Sequence, residues 1–94
     1  KLIGDLYCVA RSGTESHEGT GTWQVFRVDF GVKYAKEPFV NVMPITLFSN
    51  ENIAFSKFIG DKFHGYTGFE YTVYCEDPKF SYETKWFAVG NIMQ

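Results

Sequence analysis

Two runs near the end of the chain constrain the fold more than anything else in it. The first, Tyr66–Cys75, reads Tyr-Thr-Gly-Phe-Glu-Tyr-Thr-Val-Tyr-Cys, and the second, Phe80–Gly90, reads Phe-Ser-Tyr-Glu-Thr-Lys-Trp-Phe-Ala-Val-Gly. Tyr, Thr, Val and Phe suit a pleated, half-buried surface better than a helix. The first run alternates strictly. Phe69, Tyr71, Val73 and Cys75 share one face, and Glu70, Thr72 and Tyr74 share the other. A polar break, Glu76-Asp77-Pro78-Lys79, separates the runs. The pattern predicts a long β-hairpin, with the upstream chain supplying sheet to cover it.

The upstream chain divides accordingly. Lys1–Ala10 alternates loosely and is expected to be the first strand, while Arg11–Gly21 carries small and polar residues with three glycines and is expected to be the longest loop. Long loops on a rigid sheet are where binding chemistry concentrates. Thr22–Tyr34 reads as a strand with Phe26, Val28 and Phe30 on its apolar face and Gln24 leading it; Trp23, Val25, Arg27 and Asp29 face the other way. A turn at Tyr34–Pro38 precedes a strand over Phe39–Phe48, and Pro44 marks that strand as an edge or a bulge. Ser49–Asn52 has turn composition, and Ile53–Phe63 reads as the fourth strand, with a bulge expected at Gly60-Asp61. No segment matches a capped amphipathic helix. Six strands at regular spacing predict one all-β domain over residues 1–94, a six-stranded antiparallel β-sandwich.

A chain of 94 residues buries only a thin core, so a staple or oligomerisation is expected to support it. The net charge of -2 argues against a nucleic-acid surface. No apolar run approaches the roughly 20 residues that span a bilayer as a helix, and no membrane insertion is expected. The start at Lys1 predicts a processed chain or a C-terminal piece of a longer one. Aromatic content is high at 19%; a sandwich core explains most of the Phe, and surplus Tyr and Trp suit binding surfaces, with plain packing the commoner role at any single position. Cys8 and Cys75 admit two readings: buried thiols, or one bridge closing a long loop, which in the chain-entropy model contributes about 4 kcal/mol.

Several chemistries lack a motif. His17 and His64 stand far apart with no Cys or paired carboxylate at ligand spacing, so no metal is expected. No Gly-rich phosphate loop and no nucleophile elbow is present, and the acid pairs Glu15/Glu18 and Glu76/Asp77 read as solvated loop residues. The chain is expected to be non-catalytic and to need no cofactor.

The run Val28-x-Phe30, Tyr34-x-x-x-Pro38-x-Val40-x-Val42, then Thr67-Gly68-Phe69 and Trp86-x-Ala88-x-Gly90 resembles the H-type lectin domain, the family of snail agglutinins and the C-terminal domain of slime-mould discoidins. The resemblance spans roughly residues 22 to 90. It implies a homotrimer, in some members stacked into a hexamer, that binds galactose- or N-acetylgalactosamine-type glycans without metal in shallow sites between subunits. It also implies an extracellular or surface-displayed setting and a role in cell adhesion.

Residue by residue, the resemblance puts Glu18 in the place of the acid that accepts hydrogen bonds from sugar hydroxyls, with His17 and Glu15 beside it. Lys57, or Ser56, stands where the family has an arginine on the fourth strand. Tyr82 matches a tyrosine that opens the last strand. Glu76 and Asp77 occupy the place of the family's stacking aromatic, where acceptor contacts are expected instead. Some family members bridge the first strand to the hairpin strand close to Cys8 and Cys75. The competing expectation is a trimerising structural or receptor-binding module of a larger fibre or adhesin, such as a phage tail, that binds no monosaccharide.

Overall fold

The computed structural model of the protein describes residues 8–45, 51–76, 78 and 81–93, with the backbone alone at 51 and 52. Six antiparallel strands make up the described chain: β1 Cys8–Glu18, β2 Trp23–Tyr34, β3 Phe39–Pro44, β4 Glu51–Asp61, β5 Gly65–Cys75 and β6 Ser81–Asn91. They form two three-stranded sheets, ordered β1-β6-β3 and β2-β5-β4. Inward residues of β2, β5 and β6 share one core in a sandwich-like arrangement: Val28, Phe30 and Tyr34, then Phe69, Tyr71, Val73 and Cys75, then Tyr82, Trp86 and Ala88. Phe69 and Trp86 meet across the sheets with ring centroids 5.9 Å apart, and Phe30 lies 5.6 Å from Phe69 and 6.0 Å from Trp86. Each such buried ring contributes roughly 1.5–3 kcal/mol of transfer free energy.

The two aromatic runs alternate as their sequence predicts, but they do not form a hairpin. β5 and β6 are the middle strands of opposite sheets. A hairpin would lay both bulky stripes side by side on one face. Set face to face, Phe69, Tyr71 and Val73 fill the space against Tyr82, Trp86 and Ala88. The hairpin of this region lies upstream, where β4 and β5 pair down to Asp61↔Gly65. Asp61 Oδ1 caps that turn, accepting from the Phe63 N–H at 2.8 Å and the His64 N–H at 2.7 Å.

A second expectation is overturned at Arg11–Gly21. Residues up to Glu18 are not a loop; all eleven residues of β1 pair with β6, from Cys8↔Asn91 to Glu18↔Ser81. Residues 1–7 of the expected first strand lie outside the described residues. Period-two alternation is present here, but it is polar on both faces and gives no hydropathy contrast. Gly13 is inward and has no side chain because Trp86 occupies that volume: an added Cβ would sit 2.5 Å from the indole Nε1.

β2, β5 and β6 begin and end within one residue of their expected bounds, and β4 runs two residues earlier than expected. β3 ends at Pro44 and is an edge strand, and β4 shifts register between Ile59 and Gly60. Residues 46–48 of the expected third strand and 49–50 of the expected turn lie outside the described residues, while 51 and 52 already belong to β4.

The Cys8–Cys75 bridge is also contradicted. The Tyr34 hydroxyl donates to the Val9 carbonyl at 2.9 Å, and Tyr34 pairs with Tyr66, so Cys8 sits at the Tyr66 end of β5. Cys75 lies nine residues further along that strand, roughly 30 Å away at the rise of a β-strand. A disulfide needs Cα atoms within about 7 Å. Both residues are thiols, Cys8 exposed and Cys75 buried. Ellman's reagent is therefore expected to titrate one thiol in the folded protein and both after denaturation; no reactive thiol in the non-reduced, denatured chain would contradict this.

The Thr-Gly-Phe motif has a packing reason at Gly68. Opposite Asp29, it lets β2 approach so closely that an added Cβ would lie 2.2 Å from the Val28 carbonyl oxygen, a backbone atom that cannot swing aside. Gly68→Ala is expected to destabilise the fold by roughly 3 kcal/mol in urea unfolding.

Candidate functional site

At the Glu18/Ser81 end of the β1–β6 ribbon the core turns polar. β5 and β6 bring Tyr71 and Thr84 inward, and β1 brings Glu15 and His17 to meet them. The Tyr71 hydroxyl donates to Glu15 Oε1 at 2.6 Å. It also lies 2.8 Å from Thr84 Oγ1 and 2.8 Å from His17 Nε2. One phenol proton and two acceptor positions are satisfied when Tyr71 donates to Glu15 and accepts from Thr84 and from a His17 carrying its proton on Nε2. The His17 ring stacks on Phe26 at 3.6 Å and 18°. Beside this cluster the Tyr82 hydroxyl donates to Gln24 Oε1 at 3.0 Å, and Gln24 Nε2 donates to the Glu18 carbonyl at 3.1 Å. Two chains of side-chain hydrogen bonds thus cross between the sheets.

Burial sets the charge states. It holds His17 below the ordinary imidazole value of 6.5, against the opposing pull of Glu15. It pushes Tyr71 well above the usual phenol range and Tyr82 up to about 12. His17 is therefore neutral near neutral pH, and its 3.6 Å approach to Glu15 Oε1 is not an ion pair there.

Outside this network lies an open hollow of about 600 Å³, lined by Ser16, His17, Glu18, Ser81, Tyr82 and Glu83. Ser16, Glu18, Ser81 and Glu83 are outward positions of the ladder, while His17 and Tyr82 are inward ones, so the hollow wraps the end of the ribbon. Ser16 Oγ donates to Glu83 Oε2 at 3.3 Å. Carboxylates and hydroxyls at this spacing are suited to the hydroxyls of a polyol. Among the described residues no group of three or more His, Cys, Asp or Glu side chains could hold a metal, and no helix is long and apolar enough to cross a membrane.

Three of the residues singled out in the sequence, His17, Glu18 and Tyr82, line this hollow. Tyr82 is 2% exposed, so it serves as wall and not as an open stacking ring. Glu76 is exposed in the link after β5 at the same end, where Gly21 N–H donates to the Cys75 carbonyl. Asp77 lies outside the described residues. Lys57 is not brought here: it faces outward on the other sheet, 3.9 Å from Glu70, which Arg27 also binds at 3.0 Å. Sequence reasoning missed Ser16, Gln24, Tyr71, Ser81, Glu83 and Thr84 as parts of this end. For Gln24, Tyr71 and Thr84 the usable signal was a polar atom at an inward position of a strand, which demands a partner; Ser16, Ser81 and Glu83 are outward and gave no such signal.

Comparison with family models, with curated proteins and with solved structures found no match to this chain.

The depressed His17 pKa gives a pH signature. The unfolded chain takes up its His17 proton near 6.5, and the folded chain only at lower pH. Stability from the neutral ring is thus complete above 6.5 and falls as pH drops towards the folded value. The difference in unfolding free energy between wild type and His17→Gln should be constant above 6.5 and shrink below it. A difference that grows on acidification would show a ring stabilised in its charged form.

Proposed function

We propose that this chain is a non-catalytic carbohydrate-binding domain. It recognises cell-surface glycans, of galactose or N-acetylgalactosamine type, in shallow sites between the subunits of a homotrimer displayed outside the cell. The observation that carries this reading is the hollow at the Glu18/Ser81 end, open and lined by hydroxyls and carboxylates held in place by a buried polar network. Glu18 and Glu83 accept from sugar hydroxyls, and Ser16 and Ser81 donate or accept as the sugar requires. One chain supplies one wall, and a neighbouring subunit supplies the facing one. Several weak sites in one assembly then gain avidity.

A trimer is supported by the outer face of the β1-β6-β3 sheet away from the hollow. There Phe39, Val89 and Ala10 share one row, and Asn41, Phe87 and Ser12 the next, with no charge among them. Phe39 is 63% and Phe87 40% exposed. That face equally favours a second reading, a trimerising structural or receptor-binding module of a larger fibre or adhesin that binds no monosaccharide.

A glycan array combined with light scattering separates the two. The lectin reading predicts galactose-type hits and a threefold mass. Glu18→Gln should then weaken the best hit by roughly tenfold, the loss of one charge-assisted hydrogen bond, without changing that mass. A stable trimer with no glycan hit would leave the structural module.

A further inference from the structure

On the far side of the same end, the outer face of the β2-β5-β4 sheet carries an aromatic pair in water. Trp23 and Tyr74 are directly opposed in the ladder, with ring centroids 5.5 Å apart and planes at 47°. Trp23 is 59% and Val25, two residues on, 62% exposed. Beyond Val25 the face becomes charged at once, with Arg27 bound to Glu70 and Lys57 behind it. Hydroxyls rim the pair. Thr72 pairs with Val25, and Thr20 and Thr22 sit in the exposed link from β1 to β2 with Oγ1 atoms 2.8 Å apart.

The packing of the core does not require this arrangement. Both rings point away from it, and an exposed tryptophan beside a half-exposed tyrosine leaves apolar surface in water. The size of the patch limits what covers it. Among the described residues, three side chains ending at a charge ladder make up the patch, well short of the about 20–30 residues per side that a standard protein interface uses. They match one or two pyranose rings: a sugar presents a face of C–H groups to an aromatic ring and a rim of hydroxyls to its polar border.

The link joins this patch to the hollow. Glu18 lies at one end of it, Thr20 and Thr22 are on its crest, and Trp23 opens the strand that follows. Gln24, between Trp23 and Val25, turns inward and bonds both Tyr82 and the Glu18 carbonyl. The wall of the hollow and the base of the aromatic pair are thus one hydrogen-bonded unit.

We propose that Trp23 and Tyr74 form a stacking subsite for a further pyranose unit of an oligosaccharide whose first unit occupies the hollow. The proposal rests on the carbohydrate reading above and assigns the site a preference for glycan chains over single sugars.

The test uses the best tetrasaccharide hit from the array and its terminal monosaccharide, titrated into wild type, Trp23→Ala and Trp23→Phe. The chain has two tryptophans, and Trp86 is buried, so a change in emission on binding reports Trp23. The tetrasaccharide is expected to bind roughly tenfold more tightly than the monosaccharide and to shift the emission to the blue. Trp23→Ala should remove that advantage and leave monosaccharide affinity unchanged, and Trp23→Phe should restore most of it. An advantage that survives Trp23→Ala overturns the subsite and leaves the hollow reading standing. A fall in assembly mass with Trp23→Ala overturns it in favour of a contact between copies. No array hit of any kind overturns both readings together.

Discussion

The Tyr71 hydroxyl is the constraint on which this end of the molecule depends. It sits in a core between two sheets, on a residue that is 0% exposed, and burying an unpaired hydroxyl costs about 1–3 kcal/mol. Among the described residues, none of its own strand or of β2 and β4 answers it. Its partners come from the opposite sheet: Thr84 on β6, and Glu15 and His17 on β1. Satisfying one phenol therefore fixes the register of β1 on β6 and the packing of one sheet on the other. It also turns Glu18 and Ser16 outward, where they line the hollow. The packing requirement and the geometry of the candidate site are the same interaction seen from its two sides.

This explains what the sequence revealed and what it hid. Phe69, Tyr71, Val73 and Cys75 were legible as one inward face because hydropathy alternates there, and the same held for Phe26, Val28 and Phe30. Strand pairing was less legible. Runs separated by a short polar link read as a hairpin, yet the link from β5 to β6 changes sheets. Nothing local distinguishes the two outcomes. The deciding fact is that Phe69 and Trp86 fill one core only when they face each other.

The stretch Arg11–Glu18 was misread for a related reason. Small and polar residues signal a loop when considered alone. Here Gly13 yields its volume to Trp86, Glu15 and His17 serve Tyr71, and Arg11 Nε donates to the Phe30 carbonyl at 2.9 Å. Arg11, Glu15, Ser16 and His17 each have a long-range side-chain partner, and only the fold supplies the pairing. His17, Glu18 and Tyr82 were named one by one through the family resemblance, and the fold brings them to one hollow; the partners of Gln24, Tyr71 and Thr84, which hold it, are set only in three dimensions. Lys57 was placed by analogy of strand order, and its register with Glu70 sends it to the other sheet's outer face.

Tyr71 makes a strand, and so one wall of the hollow, out of residues that would otherwise be a loop. Amide hydrogen exchange tests it directly. In the wild-type protein the alternate amides of Gly13–Glu18 that bond to β6 should be protected. In Tyr71→Phe that protection should fall selectively, while the β2–β5 ladder keeps its own. Loop-like exchange over Gly13–Glu18 in the wild type, or protection unchanged by Tyr71→Phe, would show that Tyr71 does not hold β1 in place.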